Sequence, residues 1–126
     1  MAERAHSSKR FEGQDLSSHV LVEWTGLVNG DTGEWIRVPQ FADKTFHAYG
    51  TFGVGGNVQI EGSNEDAPNV AGTNAGPLND PGGSPINITA ANEIEAVLEN
   101  PLWVRPKVTA GDGTTSLTVR MLGRRR

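Results

Sequence analysis

An all-β fold, arranged as an antiparallel sandwich, is predicted by three features of the sequence. Apolar residues alternate with polar ones over short segments, the period of a half-buried strand rather than of a helix. Sixteen glycines and seven prolines fall largely between those segments, where they turn the chain. The connections are of hairpin scale, shorter than the crossovers that a parallel sheet requires. The expectation is an antiparallel β-sandwich of the jelly-roll or immunoglobulin-like kind with an extended N-terminal arm.

The elements are expected in the following order. Residues 1–18 mix both charges, with few large apolar groups and no periodicity, so they read as a flexible arm. The sandwich domain is expected over 19–123, and 124–126 form a basic tail. Val20, Val22 and Trp24 alternate with Leu21, Glu23 and Thr25 as a first strand. Asn29-Gly30 and Thr32-Gly33 mark a turn, and a short strand at Trp35–Val38 stops at Pro39. In Lys44–Phe52 the apolar face holds Phe46, Ala48, Gly50 and Phe52, opposite Thr45, His47, Tyr49 and Thr51. Gly53–Gly56 reads as a hairpin loop, with Asn57–Ser63 returning beside that strand and turning Val58 and Ile60 inward.

Residues 64–85 are rich in Asn, Asp, Gly and Pro, and a loop of this length inside a domain points to a contact role. One weak strand is expected near Val70 and another at Ile86–Thr89. Ile94, Val97 and Leu98 have helical spacing, so a short helix or turn is expected within Ala90–Glu99, ended by Pro101. Leu102, Val104, Pro106 and Val108 alternate with Trp103, Arg105, Lys107 and Thr109. Pro106 implies that this strand lies at an edge or carries a bulge. Gly111-Asp112-Gly113 is a tight turn before a last strand, Thr114–Leu122, with Leu117, Val119 and Met121 on one face.

Composition narrows the function. The 126 residues suit one domain with one core. Having no cysteine, the chain can build no disulfide, thiolate nucleophile or sulfur-based zinc site. A net charge of −4 argues against a nucleic-acid binder. No apolar run is long enough for a membrane-spanning helix, and the N-terminus lacks the apolar stretch of a signal peptide, so no membrane partner is expected. The three histidines, His6, His19 and His47, show no metal spacing. Asp- and Asn-rich turns at 29–31, 64–66, 79–80 and 112 are ordinary turn chemistry, and no EF-hand loop is present. No nucleophile elbow, P-loop or dinucleotide motif occurs, and nothing sets Glu93, Glu95 or Glu99 in pairs across a cleft. Neither enzyme activity nor a cofactor nor a metal is expected.

Adhesion to other proteins is the reading that remains. Trp35, Tyr49 and Trp103 fall by alternation on faces shared with Arg37, His47, Arg105 and Lys107. Aromatics beside arginine are what protein interfaces favour, although a covering layer would place them equally well. The arm carries Arg4, Lys9, Arg10 and Phe11, and the chain ends in Arg124, Arg125 and Arg126 after Arg120. Such guanidinium groups suit an acidic neighbour.

Three segments carry a resemblance: VEWTGLVNGDTG (22–33), GTFGVGGNVQIEGSN (50–64) and ENPLWVRPKVTAGDGTTSLTV (99–119). They resemble small head-module proteins of tailed bacteriophages, the capsid decoration or cement proteins. The likeness runs over most of residues 20–122, does not extend to the basic arm, and is most distinctive around Pro101, Arg105, Pro106 and Gly111–Thr115. It implies a virion protein on the outer capsid surface, made in the bacterial cytoplasm. It further implies a homotrimer that stitches neighbouring major capsid protein subunits together, without catalytic residues. Two other readings stay open: a receptor- or carbohydrate-binding module of a tail fibre or spike, using Trp35 and Trp103 as platforms, and a tail or neck component.

Overall fold

The computed structural model describes residues 2–10 and 19–125. Its strands are β1 (Glu3–Arg4), β2 (His6–Arg10), β3 (His19–Leu27), β4 (Thr32–Gly33), β5 (Ile36–Arg37), β6 (Asp43–Thr51), β7 (Asn57–Ser63), β8 (Gly76–Pro77), β9 (Glu93–Ala96), β10 (Trp103–Ala110) and β11 (Ser116–Arg124). There is no helix among the described residues. One sheet, A, runs β1-β4-β10-β7-β8 with β5 also on β10; the other, B, runs β2-β3-β11-β6-β9. The predicted all-β sandwich is therefore the observed fold.

The alternating apolar residues fill the space between the sheets. Val22, Trp24, Phe46 and Ala48 enter from sheet B together with Val119 and Met121, and Val58, Ile60, Val104 and Val108 enter from sheet A, all without exposed surface. Trp24 stacks against Phe46 with ring centres 6.2 Å apart, and its indole N–H donates to the Glu34 carbonyl at 3.0 Å. Both halves of an amphipathic indole are thus satisfied in the core. Strict alternation would send Gly26 inward after Trp24. Instead Gly26, at φ +69°, adds a residue to β3, the register with β11 shifts there, and Leu27 enters the core.

Pairing departs from expectation where alternation is silent. The strands expected to form a hairpin, β6 and β7, lie in opposite sheets, and so do β10 and β11. Each Gly-rich loop between them is an arch that carries the chain across the sandwich. Alternation says which residues face the core, and two strands facing each other across it satisfy the pattern as well as two side by side. Thr32-Gly33 is strand β4 rather than turn, and the reversal lies at Asn29-Gly30, where Gly30 has φ +87°. A Cβ on Gly33 would come within 2.7 Å of both the Trp24 ring and Pro106 Cδ, so strand backbone there packs directly on the core.

Pro106 lies inside β10, between β7 on one side and β4 and β5 on the other. The expected edge position is replaced by a gap. Val108 N–H donates to Asp31 O of the β4 side, so the Pro106 nitrogen, two residues earlier, aims into the break between β4 and β5. A register shift of the bulge type does occur, between Val108 and Ala110.

Four further expectations are modified. Val70 is 42% exposed and lies in a turn, not a strand, and order in the 64–85 segment comes instead from β8 and the Asn79↔Pro85 bridge, with Leu78 and Ile86 buried. The region around 90–99 forms strand β9 on β6, not a helix; Ile94 and Leu98 are exposed and only Val97 is buried, so their helical spacing served no common face. Of the expected arm at 1–18, two pieces are paired: β1 pairs parallel with β4 in sheet A and β2 pairs antiparallel with β3 in sheet B, while residues 11–18 lie outside the described residues. Arg124 is the last residue of β11, so the strand extends into the expected tail.

Candidate partner-binding surface

The two outer faces of the sandwich differ. On sheet A, Trp103, Arg105 and Lys107 of β10 and Glu61 of β7 point away from the core, as the alternation predicts. Their exposure is not as expected. Arg105 is fully buried. Its Nε donates to Glu61 Oε1 at 2.8 Å, its Nη1 donates to the Val70 carbonyl at 2.7 Å, and its guanidinium lies 4.2 Å over the Trp35 ring. Trp35 is 7% exposed and donates its indole N–H to the Asn69 carbonyl at 2.9 Å. Ser63 Oγ donates to Asn74 O at 2.9 Å. The segment around 69–74 is thereby folded back over sheet A as a cover.

Gly72 fits this cover closely: it has φ +70°, and a Cβ there would come within 2.6 Å of Arg105 Nη2. Trp35 and Arg105, expected at a partner interface, serve an internal one. The sequence reason is plain, because a cover made of Asn, Gly and Thr has no periodicity to announce it. Trp103 is half-buried, and its indole N–H finds no acceptor among the described residues.

Among the described residues, no segment folds over the outer face of sheet B as 69–74 does over sheet A. The strand registers align Ser7, Glu23, Arg120, His47 and Ile94 in one row across all five strands. A second row sets Leu21, Leu122, Thr45 and Ala96 side by side, and Tyr49 sits opposite Thr118. Arg120 Nε donates to Glu23 Oε2 at 2.7 Å, and its guanidinium lies 5.9 Å over the Tyr49 ring, whose centre is 5.3 Å from that of His47. The Glu23 carboxylate, hydrogen-bonded and close by, raises the Arg120 pKa further above its ordinary value. Among the described residues, the only hydrogen bond from a loop side chain onto this face is at its rim, between Asn92 and His47. Tyr49, a predicted contact residue, thus lies half-exposed beside His47, with which alternation had grouped it, and beside Arg120 and Ile94, with which it had not. The signal was available: Arg120 alternates with the inward Val119 and Met121.

The basic ends are placed as follows. Arg4 Nε donates to Asp31 Oδ2 at 2.8 Å, and Asp31 also accepts the Val28 N–H at 3.0 Å. Burial opposes the Asp31 charge, but these donors outweigh it and hold the carboxyl below its usual range. Arg4 therefore ties β1 to the 28–31 turn. Lys9 and Arg10 lie on β2, an edge strand, and Phe11 and Arg126 lie outside the described residues. Arg124 and Arg125 are exposed and line a groove of about 510 Å³ with Asp43, Pro81, Val97 and Leu98.

One end of the sandwich is latched by Asp112. Its Oδ2 accepts the Val54 N–H at 2.8 Å, and its Oδ1 accepts the Thr114 N–H and hydroxyl at 2.9 and 2.7 Å. Thr115 Oγ1 donates to the Phe52 carbonyl at 2.8 Å, so the arches at 52–56 and 111–115 hold each other. Hydrogen bonds from the Thr114 hydroxyl and the Val54 N–H bring the Asp112 pKa down to about 2. No group of His, Asp or Glu side chains that would hold a metal ion is found among the described residues. In comparison with known proteins, no family model, curated protein or solved structure matches this chain.

Proposed function

We propose that this protein is a structural virion component that binds the outside of a tailed-phage capsid and cements neighbouring major capsid protein subunits as a homotrimer. The observation that carries the reading is the open outer face of sheet B, set against the covered face of sheet A. Tyr49, Arg120, His47 and Ile94 form a patch on a rigid, fully paired sheet. Tyr and Arg are residue types enriched at the energetic centres of protein interfaces. The resemblance of residues 22–33, 50–64 and 99–119 to decoration proteins supplies the partner.

Cementing needs many modest contacts rather than one strong one. A trimer engaging several capsid subunits gains effective concentration at each further contact, so one patch of this size is enough per copy. The carbohydrate reading loses part of its support, since Trp35 lies beneath the chain's own loop and offers no platform. Co-sedimentation of the purified protein with undecorated capsids tests the proposal. Saturable binding that weakens at least tenfold in Tyr49→Ala supports it, and absence of binding by the wild-type chain overturns it.

A further inference from the structure

Strand β9 is one end of sheet B, with three strands between it and β2. Its hydrogen bonds show which way its backbone points. Val97 N–H donates to Lys44 O of β6 at 3.0 Å, so Glu95, two residues earlier, also turns its backbone groups to β6. Ile94 and Ala96 turn theirs to the other side. Leu98, next in that series, has its N–H taken by Asn79 O at 2.9 Å. Ile94 and Ala96 have no backbone partner on that side among the described residues. Ala96 instead borders the groove of about 510 Å³ that Pro81 lines opposite it.

The side chains of β9 invert the usual arrangement. Ile94 is 61% exposed on the outward face, in the row with His47 and Arg120. Glu93 and Glu95 stand opposite the buried Ala48 and Phe46, and so share the inward side. Neither glutamate forms an ion pair among the described residues. Burial, and then the nearby charges of Glu93 and Asp80, raise the Glu95 pKa. Inward charges guard an edge strand against pairing with its own kind. A twofold pairing of β9 with a second copy would oppose Glu93 to Glu95 if centred on Ile94, and Glu95 to itself if centred on Glu95. A strand with cations at those positions meets attraction instead.

We infer that β9 is the docking edge for an extended segment of a partner protein that carries Lys or Arg at two alternate positions with an apolar residue between them. The segment adds a sixth strand to sheet B, antiparallel to β9 like every pair already in that sheet. Its backbone meets the open groups of Ile94 and Ala96. Its cations face Glu93 and Glu95 on the inward side, and the apolar residue between them packs beside Ile94 on the outward side. Arg124 and Arg125, exposed in the groove past Ala96, confine those cations to the Glu93–Glu95 stretch. The same two carboxylates that reject a second β9 thus select the foreign strand. The inference deepens the proposed function and rests on it for the partner, a major capsid subunit; it names the edge used and the chemistry of the segment bound.

The test titrates the isotope-labelled full-length chain with the blocked peptide Val-Lys-Val-Lys-Val and follows backbone amide shifts by NMR. Saturable shifts centred on Ile94 and Ala96 are expected, weakening as salt rises. Glu93→Gln with Glu95→Gln should weaken binding at least tenfold, and the peptide with glutamate in place of lysine should not bind. N-methylation of the central valine removes the backbone donor opposite Ile94 and leaves the charge unchanged, so it too should weaken binding at least tenfold. Circular dichroism checks that the double variant is folded, and the N-methylated peptide keeps the test decisive should it not be. Absence of binding to the wild-type chain overturns the inference, as do shifts that avoid β9. Binding that survives N-methylation overturns it as well, since charge attraction alone would then account for the contact. No capsid enters this experiment, so its failure is distinguishable from failure of capsid binding.

Discussion

The Arg105 guanidinium lies 4.2 Å over the Trp35 ring while its Nη1 donates to the Val70 carbonyl, so one side chain fastens the cover of sheet A to the sheet beneath. Arg105 also neutralises Glu61, whose carboxylate is only 13% exposed and lies 3.7 Å from Lys107. Removing one partner of a buried pair leaves the other uncompensated. Arg105→Ala is expected to cost about 3 kcal/mol in urea unfolding. Amide exchange should accelerate first over residues 69–74. A loss below about 1 kcal/mol with unchanged exchange would show that the cover is held by other contacts.

Gly33 tests the core where β4 meets it. Its φ is ordinary, so only the absent side chain matters there: a Cβ would sit 2.7 Å from the Trp24 ring and from Pro106. Gly33→Ala is expected to destabilise the protein by about 1–3 kcal/mol through overpacking. Thermal unfolding measures it, and an unchanged midpoint would contradict the packing described.

The Asp112 latch gives a pH dependence of defined sign. Its carboxyl titrates at about 2 in the folded protein, against an ordinary value of 3.8. Its contribution is fully present above that ordinary value. It declines as pH falls and the unfolded chain takes up the proton first, and it is gone once the folded carboxyl is protonated. Acid unfolding between about pH 4 and 2 should therefore be less steep in Asp112→Asn than in the wild type. Identical acid profiles would mean that the Val54–Asp112 contact does not couple to folding.

Much of the fold was legible because alternation reports burial directly. Val22, Trp24, Phe46, Ile60, Val119 and Met121 all face inward as the period-2 pattern requires. What alternation cannot report is the neighbour, so two arches resembled hairpins. Edge strands were hidden for a related reason. HSSKR and EIEA bury little apolar surface on their own, and their order comes from pairing with β3 and β6. Of the surface residues, Tyr49 was placed on an open face and Trp35 was not, although both alternate in the same way. The difference lies in the 69–74 segment, whose cover is built from backbone carbonyls accepting from Trp35 and Arg105. Side-chain patterning carries no trace of such acceptors.

The open face of sheet B separates binding from stability. Arg120 and Glu23 pair across strands with their side chains 42% and 27% exposed, so screening keeps the pair's contribution to stability small. Arg120→Ala combined with Tyr49→Ala should leave the protein folded, with only a small stability loss from the screened ion pair. The same double variant should reduce capsid occupancy at least tenfold in co-sedimentation. Unchanged occupancy would move the contact surface off sheet B.

The most direct measurement is electron microscopy of phage capsids lacking the protein, imaged before and after adding the purified chain. The account expects new density on the outer surface over the junctions of major capsid subunits, with the Tyr49–Arg120 face of sheet B against the shell. Capsids that remain bare at saturating protein, or density confined to the tail or neck, would contradict it.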